Sequence, residues 1–262
     1  AEGIAEEALR LTRKAIDALG GMQKFVSNGD RVWVKPNIAW DRRPEQAATT
    51  NPDVVAAVVK LCFEAGAGEV FVSDHTCNKA QRTFPRSEIE SAAREAGASV
   101  SFLDTRKFRE MSIGGKVLSE WELYTDIVEA DKFINIPIAK HHSLAGATLA
   151  MKNLMGVCGG SRNRFHQDLT NVLPDLAAFV KPKLTVLDGI RVLPVNGPVG
   201  GNLDDVKRKD TVAAGVDQVA IDAFGATLLD MKPKKIAHIV EAANRGLGTM
   251  DVTSLSPVES LV

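Results

Sequence analysis

Cysteine is scarce in this chain, and its few cysteines are far apart. Only Cys62, Cys77 and Cys158 occur among the 262 residues, and no CxxC pair is present. An odd number of widely spaced cysteines argues against a disulfide framework and against a structural zinc site. This composition favours a reducing compartment, so the expected location is the cytoplasm. Because the sequence begins with Ala1 rather than Met, the alternative of an export signal removed upstream stays open.

The chain also lacks an excess of one charge, abundant aromatic residues and a long apolar run. Lys and Arg number 32 against 33 Asp and Glu, which gives a net charge of -1, and aromatic residues make up 5%. Nonspecific nucleic-acid-binding proteins are clearly basic or carry aromatic stacking platforms, so no nucleic-acid partner is expected. No apolar segment approaches the ~20 residues that span a bilayer, so no membrane span is expected.

What the sequence does contain is an alternation of helical and strand-like segments. Apolar residues at helical spacing predict helices near residues 4–19, 52–65, 86–96, 120–130, 147–156, 166–180, 216–230 and 233–244. Short β-branched runs predict strands at residues 31–35, 69–73, 99–103, 132–136 and 184–187. This alternation predicts an α/β fold with a mainly parallel, doubly wound sheet and helices on both faces.

No linker, repeat or low-complexity tract divides the chain. We therefore predict a single α/β domain over residues 1–262. Two segments interrupt the alternation and are expected to be insertions, near residues 104–119 and 190–210. The first is predicted to form a hairpin-like excursion around Gly114 and Gly115.

Polar side chains follow four of the predicted strands where each strand ends. They are Lys35 and Asn37, Asp74 and His75, Asn135 with Lys140, His141 and His142, and Asp188. In open α/β sheets, ligands bind outside the carboxyl ends of the strands, where loops and helix N-termini converge. These residues therefore predict a ligand site, although Asp and Asn at such positions also serve as helix caps or turn residues.

The densest group of polar residues lies between residues 139 and 166, which hold three of the five histidines. Lys152 stands within an otherwise apolar helix, where a lysine needs a functional reason. The alternative interpretation is that Lys140 and His141 are solvated loop residues and that His238 is a packed or surface histidine. Cys158 has no recognisable thiolate-stabilising partner and is expected to be inert.

Several familiar ligand motifs are missing. No GxGxxG opens a helix, no Gly-Lys-Ser/Thr follows a glycine-rich loop, and no GxSxG is present. A nicotinamide-type dinucleotide site, a Walker loop and a hydrolase elbow are therefore not predicted. The turn at residues 196–201 offers backbone N–H groups that suit a phosphate.

An ordered set of short motifs resembles a known family. The set is Val34-Lys-Pro-Asn37, Thr50-Asn-Pro52, Gly66-Ala-Gly-Glu-Val70 with Ser73-Asp74, Ile134-Asn-Ile-Pro137 with Lys140 and His142, Lys152-Asn-Leu-Met-Gly156, His166, Leu187-Asp-Gly189, Asn196-Gly-Pro198 and Ile221-Asp-Ala223. Over about residues 30–250 the chain is similar to the family catalogued as domain of unknown function 362. Some members carry iron–sulfur segments, but this chain has no clustered cysteines, so an iron–sulfur cluster is not expected.

A fainter similarity links the chain to the lactate racemase family, whose members bind a nickel-pincer nucleotide through a lysine. His142, Lys152 and His166 repeat the His–Lys–His order of that family, and His75 resembles an earlier histidine. The glycine-rich run before the lysine is reduced here to Gly146-Ala-Thr, and the later spacing is shorter. The resemblance implies a transition metal or a nickel-pincer-type nucleotide as cofactor, whose identity stays open.

The leading hypothesis is an enzyme with a metal or nucleotide cofactor, acting on a small anionic, hydroxy-acid-like substrate by racemisation or redox chemistry. The expected catalytic residues are Lys152, His142 and His166. The expected metal ligands are His75, His142 and His166. The expected cofactor-binding residues are Lys35, Asn37, Asp74, Lys140, Asn153 and Asp188.

The alternative is a non-catalytic binding protein for an anionic small molecule. In that case the lysines, Arg162 and Arg164 would hold the anion. An anion binder needs cations rather than three clustered histidines, which favours the enzyme. A scaffold protein is a weaker third hypothesis, because it leaves the polar strand ends unexplained. The sequence does not indicate the oligomeric state.

Overall fold

The computed structural model describes residues 2–261. Its helices are α1 Glu2–Asp17, α2 Pro52–Glu64, α3 Ala80–Arg86, α4 Ile89–Glu95, α5 Thr125–Val128, α6 Ala150–Asn153, α7 Leu169–Phe179, α8 Gln218–Leu228 and α9 Ala237–Asn244. Its strands are β1 Arg31–Pro36, β2 Glu69–Val72, β3 Ser99–Val100, β4 Phe108–Ser112, β5 Glu120–Tyr124, β6 Lys132–Ile136, β7 Ile138–His142, β8 Gly146–Thr148, β9 Leu184–Leu193 and β10 Lys207–Gly215.

The central sheet has the strand order β3-β2-β1-β6-β9-β7-β8, and β10 also pairs with β9. The pairs from β3 to β9 and between β9 and β7 are parallel. Only β8 and β10 join in the antiparallel sense among the described strands of this sheet. The predicted α/β class with a mainly parallel sheet is confirmed.

Helices cover both faces of this sheet because its strands are apolar on both sides. In β1, Val32 and Val34 pack in one buried cluster with α1 and α2, whereas Trp33 packs in a second cluster with α7 and α8. Successive strand residues point to opposite faces, so one short apolar run supplies two cores. The two-sided arrangement of helices that the sequence predicts is therefore present.

The expected excursion at residues 104–119 is a β-hairpin. Strands β4 and β5 form a separate two-stranded antiparallel sheet, in which Phe108 pairs with Tyr124 and Ser112 with Glu120. The turn between them is held by Asp175 of α7, which accepts the backbone N–H groups of Lys116, Val117 and Leu118 at 2.8–2.9 Å. The predicted hairpin around Gly114 is confirmed.

Several predicted elements are wrong in type or length. Residues 120–124 form β5 rather than the start of a helix, and the predicted helix at 147–156 is divided between β8, α6 and a 3-10 turn. In both places tertiary strand pairing overrides the local apolar spacing. The predicted helix at 86–96 is the shorter α4, the preceding α3 was not predicted, and the strand at 99–103 is only two residues long.

Two further strands were not predicted from the sequence. Residues 138–142 form β7 directly after β6, because Pro137 has no N–H and interrupts the ladder. Residues 207–215, part of which was assigned to an insertion, form β10 along β9. Strand β9 is also longer than predicted, since it extends through Leu193 to reach β7.

None of the helices described between residues 2 and 261 has the length and apolar character needed to cross a membrane.

Candidate functional site

The polar strand ends meet at the carboxyl edge of the sheet. In the parallel register, Lys35 of β1 lies beside Asn135 of β6, and Val34 lies beside Val72, the last residue of β2. Asp74, two residues beyond β2, therefore reaches the level of Lys35. Helix α6 then places Lys152 and Asn153 over the same edge. The ends of the strands predicted at residues 31–35, 69–73 and 132–136 therefore lie close together, as expected.

Five of the predicted residues form one buried hydrogen-bonded group, which we call the inner cluster: Lys35, Asn37, Asp74, Lys140 and Asn153. The Lys35 amine lies 2.8 Å from Asp74 Oδ1 and donates to Asn153 Oδ1 at 3.1 Å. Asn37 donates to the same Asn153 oxygen at 2.9 Å, and Lys140 donates to Asn37 Oδ1 at 3.0 Å. Each side chain of the inner cluster is thus oriented by at least one other.

The inner cluster carries more positive than negative charge. Lys35 and Lys140 are at most 1% exposed, and Asp74 is the only carboxylate in the cluster. Burial lowers the pKa of the Lys35 amine, an effect that Asp74 opposes. Burial also lowers the pKa of Lys140 to about 7, although this amine has two oxygen acceptors in Asn37 and the carbonyl of Ala48. Lys140 is therefore a buried group and not the solvated loop residue of the alternative interpretation.

Gly156 closes over the inner cluster. A Cβ atom at this position would overlap Asp74 Oδ1 and lie 2.6 Å from Lys35 Nζ. Backbone can approach the ion pair this closely only where no side chain is present. This lack of space explains why a glycine stands at the end of the Lys152-Asn-Leu-Met-Gly156 motif.

Three further predicted residues, His142, Lys152 and His166, lie next to the inner cluster; we call them the outer group. Lys152 is only 9% exposed, yet no residue from 2 to 261 accepts a hydrogen bond from its amine or pairs with it. Burial lowers the pKa of this amine to about 8, and the positive charge of Arg162 contributes. Lys152 is therefore a lysine whose neutral, nucleophilic form is accessible near neutral pH.

The two histidines of the outer group stack on one another. The ring centroids of His142 and His166 lie 5.6 Å apart with an interplanar angle of 19°. Burial and the neighbouring Lys152 lower the pKa of both imidazoles, that of His142 to about 3. Both rings are consequently neutral at pH 7.

His75, the third predicted metal ligand, has other contacts. Its Nδ1 lies 2.6 Å from the carbonyl oxygen of Cys158, and its ring packs against Phe108 at 5.3 Å. Across residues 2–261 no three His, Cys, Asp or Glu side chains are grouped as they would be around a metal ion. The assignment of these histidines as metal ligands stays a prediction.

The β4–β5 hairpin supports the segment that carries Arg162 and His166. Gly159 donates to the carbonyl of Glu122 at 2.8 Å, and the ring of Trp121 packs at a tilt of 49° against Phe165, with ring centroids 4.4 Å apart. Arg162 in turn donates to the carbonyls of Met155 and Thr76 at 3.0 and 2.8 Å. The excursion therefore helps to fix one side of the site.

Asp188, the remaining predicted cofactor-binding residue, lies inside β9 and is fully buried. Its carboxylate accepts the backbone N–H of Asn51 at 2.7 Å and that of Ile190 at 3.1 Å. These contacts fix the start of α2 and match the capping alternative. Burial raises the pKa of Asp188 to about 6.

Three residues near the site were not selected from the sequence. Asp222 of α8 accepts the backbone N–H groups of Ala150 and Met151 at 2.6 and 3.2 Å and so fixes the start of α6. His238, buried as one alternative expected, lies 3.9 Å from Asp222. Cys77 Sγ lies 4.0 Å from an Arg162 nitrogen. Asp222 had a sequence signal, since it is the central residue of the motif Ile221-Asp-Ala223 in the apolar run of α8, whereas Cys77 has no local sequence signal.

Comparison with known proteins agrees with the motif set. The family model described as domain of unknown function (DUF362) matches residues 32–227. The chain belongs to this family. A relative, a thylakoid-associated protein of Synechocystis sp., is 29% identical over 265 residues, which cover 93% of this chain and 76% of that protein. The location of the present DUF362 chain remains a prediction.

Two solved structures are similar at low sequence identity. The lactate racemase apoprotein from Thermoanaerobacterium thermosaccharolyticum is 12% identical with a TM-score of 0.45, over 80% of this chain and 52% of that one. A protein from Thermotoga maritima is 8% identical with a TM-score of 0.45, over 92% of this chain and 59% of that one. The DUF362 chain thus spans between half and three-fifths of the length of these structures.

Proposed function

We propose that the protein is an enzyme that acts on a small anionic, hydroxy-acid-like substrate, with Lys152 as its base or its cofactor-bearing lysine. The observation that carries this proposal is the Lys152 amine, which has no acceptor among the described residues although the residue is only 9% exposed. A largely buried amine without an acceptor costs stability, so its presence supports a role in ligand binding or chemistry.

The charge balance of the site supports an anionic ligand. Lys35, Lys140, Lys152 and the half-buried Arg162 all belong to the site or lie next to it, whereas Asp74 is the only carboxylate within the inner cluster and the outer group. Removing several cations from water is unfavourable unless a counter-charge arrives with the ligand. A carboxylate or phosphate oxygen near Lys152 would supply that charge.

The outer group provides what acid–base chemistry requires. Lys152 exchanges its proton near pH 8, and His166, whose neutral ring has an Nε2 without a partner among the described residues, belongs to the same group. Groups whose pKa lies near the operating pH are the most effective proton carriers. Proton transfer at a carbon or hydroxyl of the substrate is therefore within the capacity of these residues.

A cofactor joined to Lys152 fits the same observation. A partly neutral, desolvated amine is the form of lysine that makes covalent adducts. His166 and His75 each retain a ring nitrogen without a partner among the described residues, and imidazole nitrogen suits a transition metal. A metal-bearing nucleotide held there would add redox chemistry at the hydroxyl-bearing carbon of the substrate.

Intact mass and metal content of protein from its own host test this proposal. We expect added mass on Lys152 that disappears in Lys152→Ala and persists in the matched control Lys60→Ala, whose lysine is exposed on α2. Interconversion or oxidation of 2-hydroxy acids, followed by chiral chromatography, should depend on Lys152. Wild-type turnover and cofactor retention in Lys152→Ala would contradict the proposal.

A non-catalytic anion-binding protein is the second candidate, and the cationic inner cluster favours it. In that case the protein should have unmodified mass, bind small carboxylates in calorimetry and produce no product. Affinity should fall when Lys152 or Arg162 is replaced, because each supplies a positive charge.

A further inference from the structure

The ring of His142 is oriented by backbone N–H groups. Its Nδ1 lies 3.2 Å from the backbone nitrogen of Leu144 and 3.2 Å from that of Ala145, in the turn between β7 and β8. Both backbone groups can only donate, so Nδ1 must present its lone pair. A neutral ring with a lone pair at Nδ1 carries its proton at Nε2.

His166 has the opposite arrangement. Its Nδ1 lies 3.1 Å from the carbonyl oxygen of Asn163, which can only accept. The proton of this neutral ring is therefore on Nδ1, and the lone pair is on Nε2. Two stacked histidines thus present different groups: an N–H from His142 and a lone pair from His166.

The same two backbone contacts also keep the ring of His142 neutral. A protonated Nδ1 would point its hydrogen at two backbone N–H groups that can only donate. The side chain is 6% exposed, and His166 stacks on it. Neither a metal nor a substrate proton can take the Nδ1 lone pair unless both backbone hydrogen bonds break.

We propose that His142 is a fixed Nε2–H hydrogen-bond donor that holds an anionic oxygen of the ligand, and that it is neither a metal ligand nor a base. The role deepens the proposed function and rests on it. Lys152 supplies the charge for the same anion, and His142 supplies direction, since a neutral N–H donates along one axis. Acid–base or metal chemistry then falls to Lys152 and His166.

The tautomer can be measured without ligand or activity. Long-range ¹H–¹⁵N spectra of the full, ¹⁵N-labelled chain at pH 7 distinguish protonated from unprotonated ring nitrogens, and the variant His142→Gln assigns the signal. We expect a protonated Nε2 and an unprotonated Nδ1 for His142, and the reverse for His166. A proton on Nδ1 of His142 overturns the inference, whatever the enzyme proves to do.

The donor role is tested with glycolate as the anion probe, titrated into wild type, His142→Gln and His142→Phe. Glutamine keeps an N–H donor, so its affinity should stay within about threefold, whereas phenylalanine should weaken binding by at least about tenfold. Equal affinity in all three proteins, or binding to none, overturns the donor role. The proposed function fails separately, by the mass and turnover measurements on Lys152.

Discussion

The inner cluster and the outer group are adjacent, yet they treat buried charge differently. In the inner cluster, Lys35 and Lys140 have oxygen acceptors within hydrogen-bonding distance. In the outer group, Lys152 is 9% exposed and has no acceptor from the described chain. Lys35 and Lys140 therefore have partners that the fold itself supplies, whereas Lys152 does not. Buried charges without a partner concentrate at functional sites.

The largest effect should come from breaking the inner cluster. Lys35→Met removes one partner of the 2.8 Å ion pair and leaves Asp74 buried and uncompensated. We expect a loss of roughly 3–5 kcal/mol in the free energy of unfolding, measured by urea denaturation. The matched control is Lys207→Met, which removes an exposed pair with Asp230 and should cost less than about 1 kcal/mol. Equal losses in both variants would show that the inner cluster is not structural.

Gly156→Ala should destabilise the same cluster by crowding it. Its Cβ would overlap Asp74 Oδ1 and press on the Lys35 amine, and neither side chain has free space to move into. We expect a loss of about 3 kcal/mol or more. The control Gly114→Ala has open space and only an unfavourable φ of +63°, so about 1–2 kcal/mol is expected there. A tolerated alanine at residue 156 would mean that the cluster repacks.

Lys152→Met should increase the free energy of unfolding at pH 7, whereas the two preceding substitutions should decrease it. The pKa of Lys152 is lowered from 10.5 to about 8, so between these values the unfolded chain binds more protons and wild-type stability rises with pH. The variant should be more stable than wild type at pH 7, by at most about 3 kcal/mol, and this advantage should vanish as the pH approaches 10.5. Denaturation at pH 7, 9 and 10.5 measures the difference. If the variant is less stable than wild type at pH 7, Lys152 stabilises the fold as Lys35 and Lys140 do.

The smallest effect on stability is expected for His166→Gln. The ring is half-exposed and its one hydrogen bond is to the carbonyl of Asn163, so unfolding should change by no more than about 0.5 kcal/mol. Turnover of the 2-hydroxy-acid substrate should nevertheless fall, whereas His141→Gln, which alters a histidine beside Gly197, should retain it. Full turnover in His166→Gln would show that His166 takes no part in the reaction.

Many residues of the candidate site could be predicted from the sequence, because they come directly after the ends of strands. Lys35, Asn37, Asp74, Lys140, His142, Lys152, Asn153 and His166 were all selected from the sequence, and the structure brings them into two adjacent groups. Asp188 was selected by the same rule but lies within β9, where it accepts backbone N–H groups. Asp188 lies inside the strand rather than past its end because β9 continues to Leu193, and strand length depends on pairing with β7 and β10.

The sequence by itself determined the α/β alternation, the two-faced apolar strands and the polar residues that follow them, since these depend on local spacing and composition. It also determined family membership through the ordered motifs. Only the tertiary structure decided which buried lysine is paired. Asn153 reaches Lys35 across 118 residues and Asn37 reaches Lys140 across 103, and no local pattern encodes such contacts. Helix α6 carries both Lys152 and Asn153, yet only Asn153 bonds to the inner cluster, and Lys152 has no acceptor among the described residues.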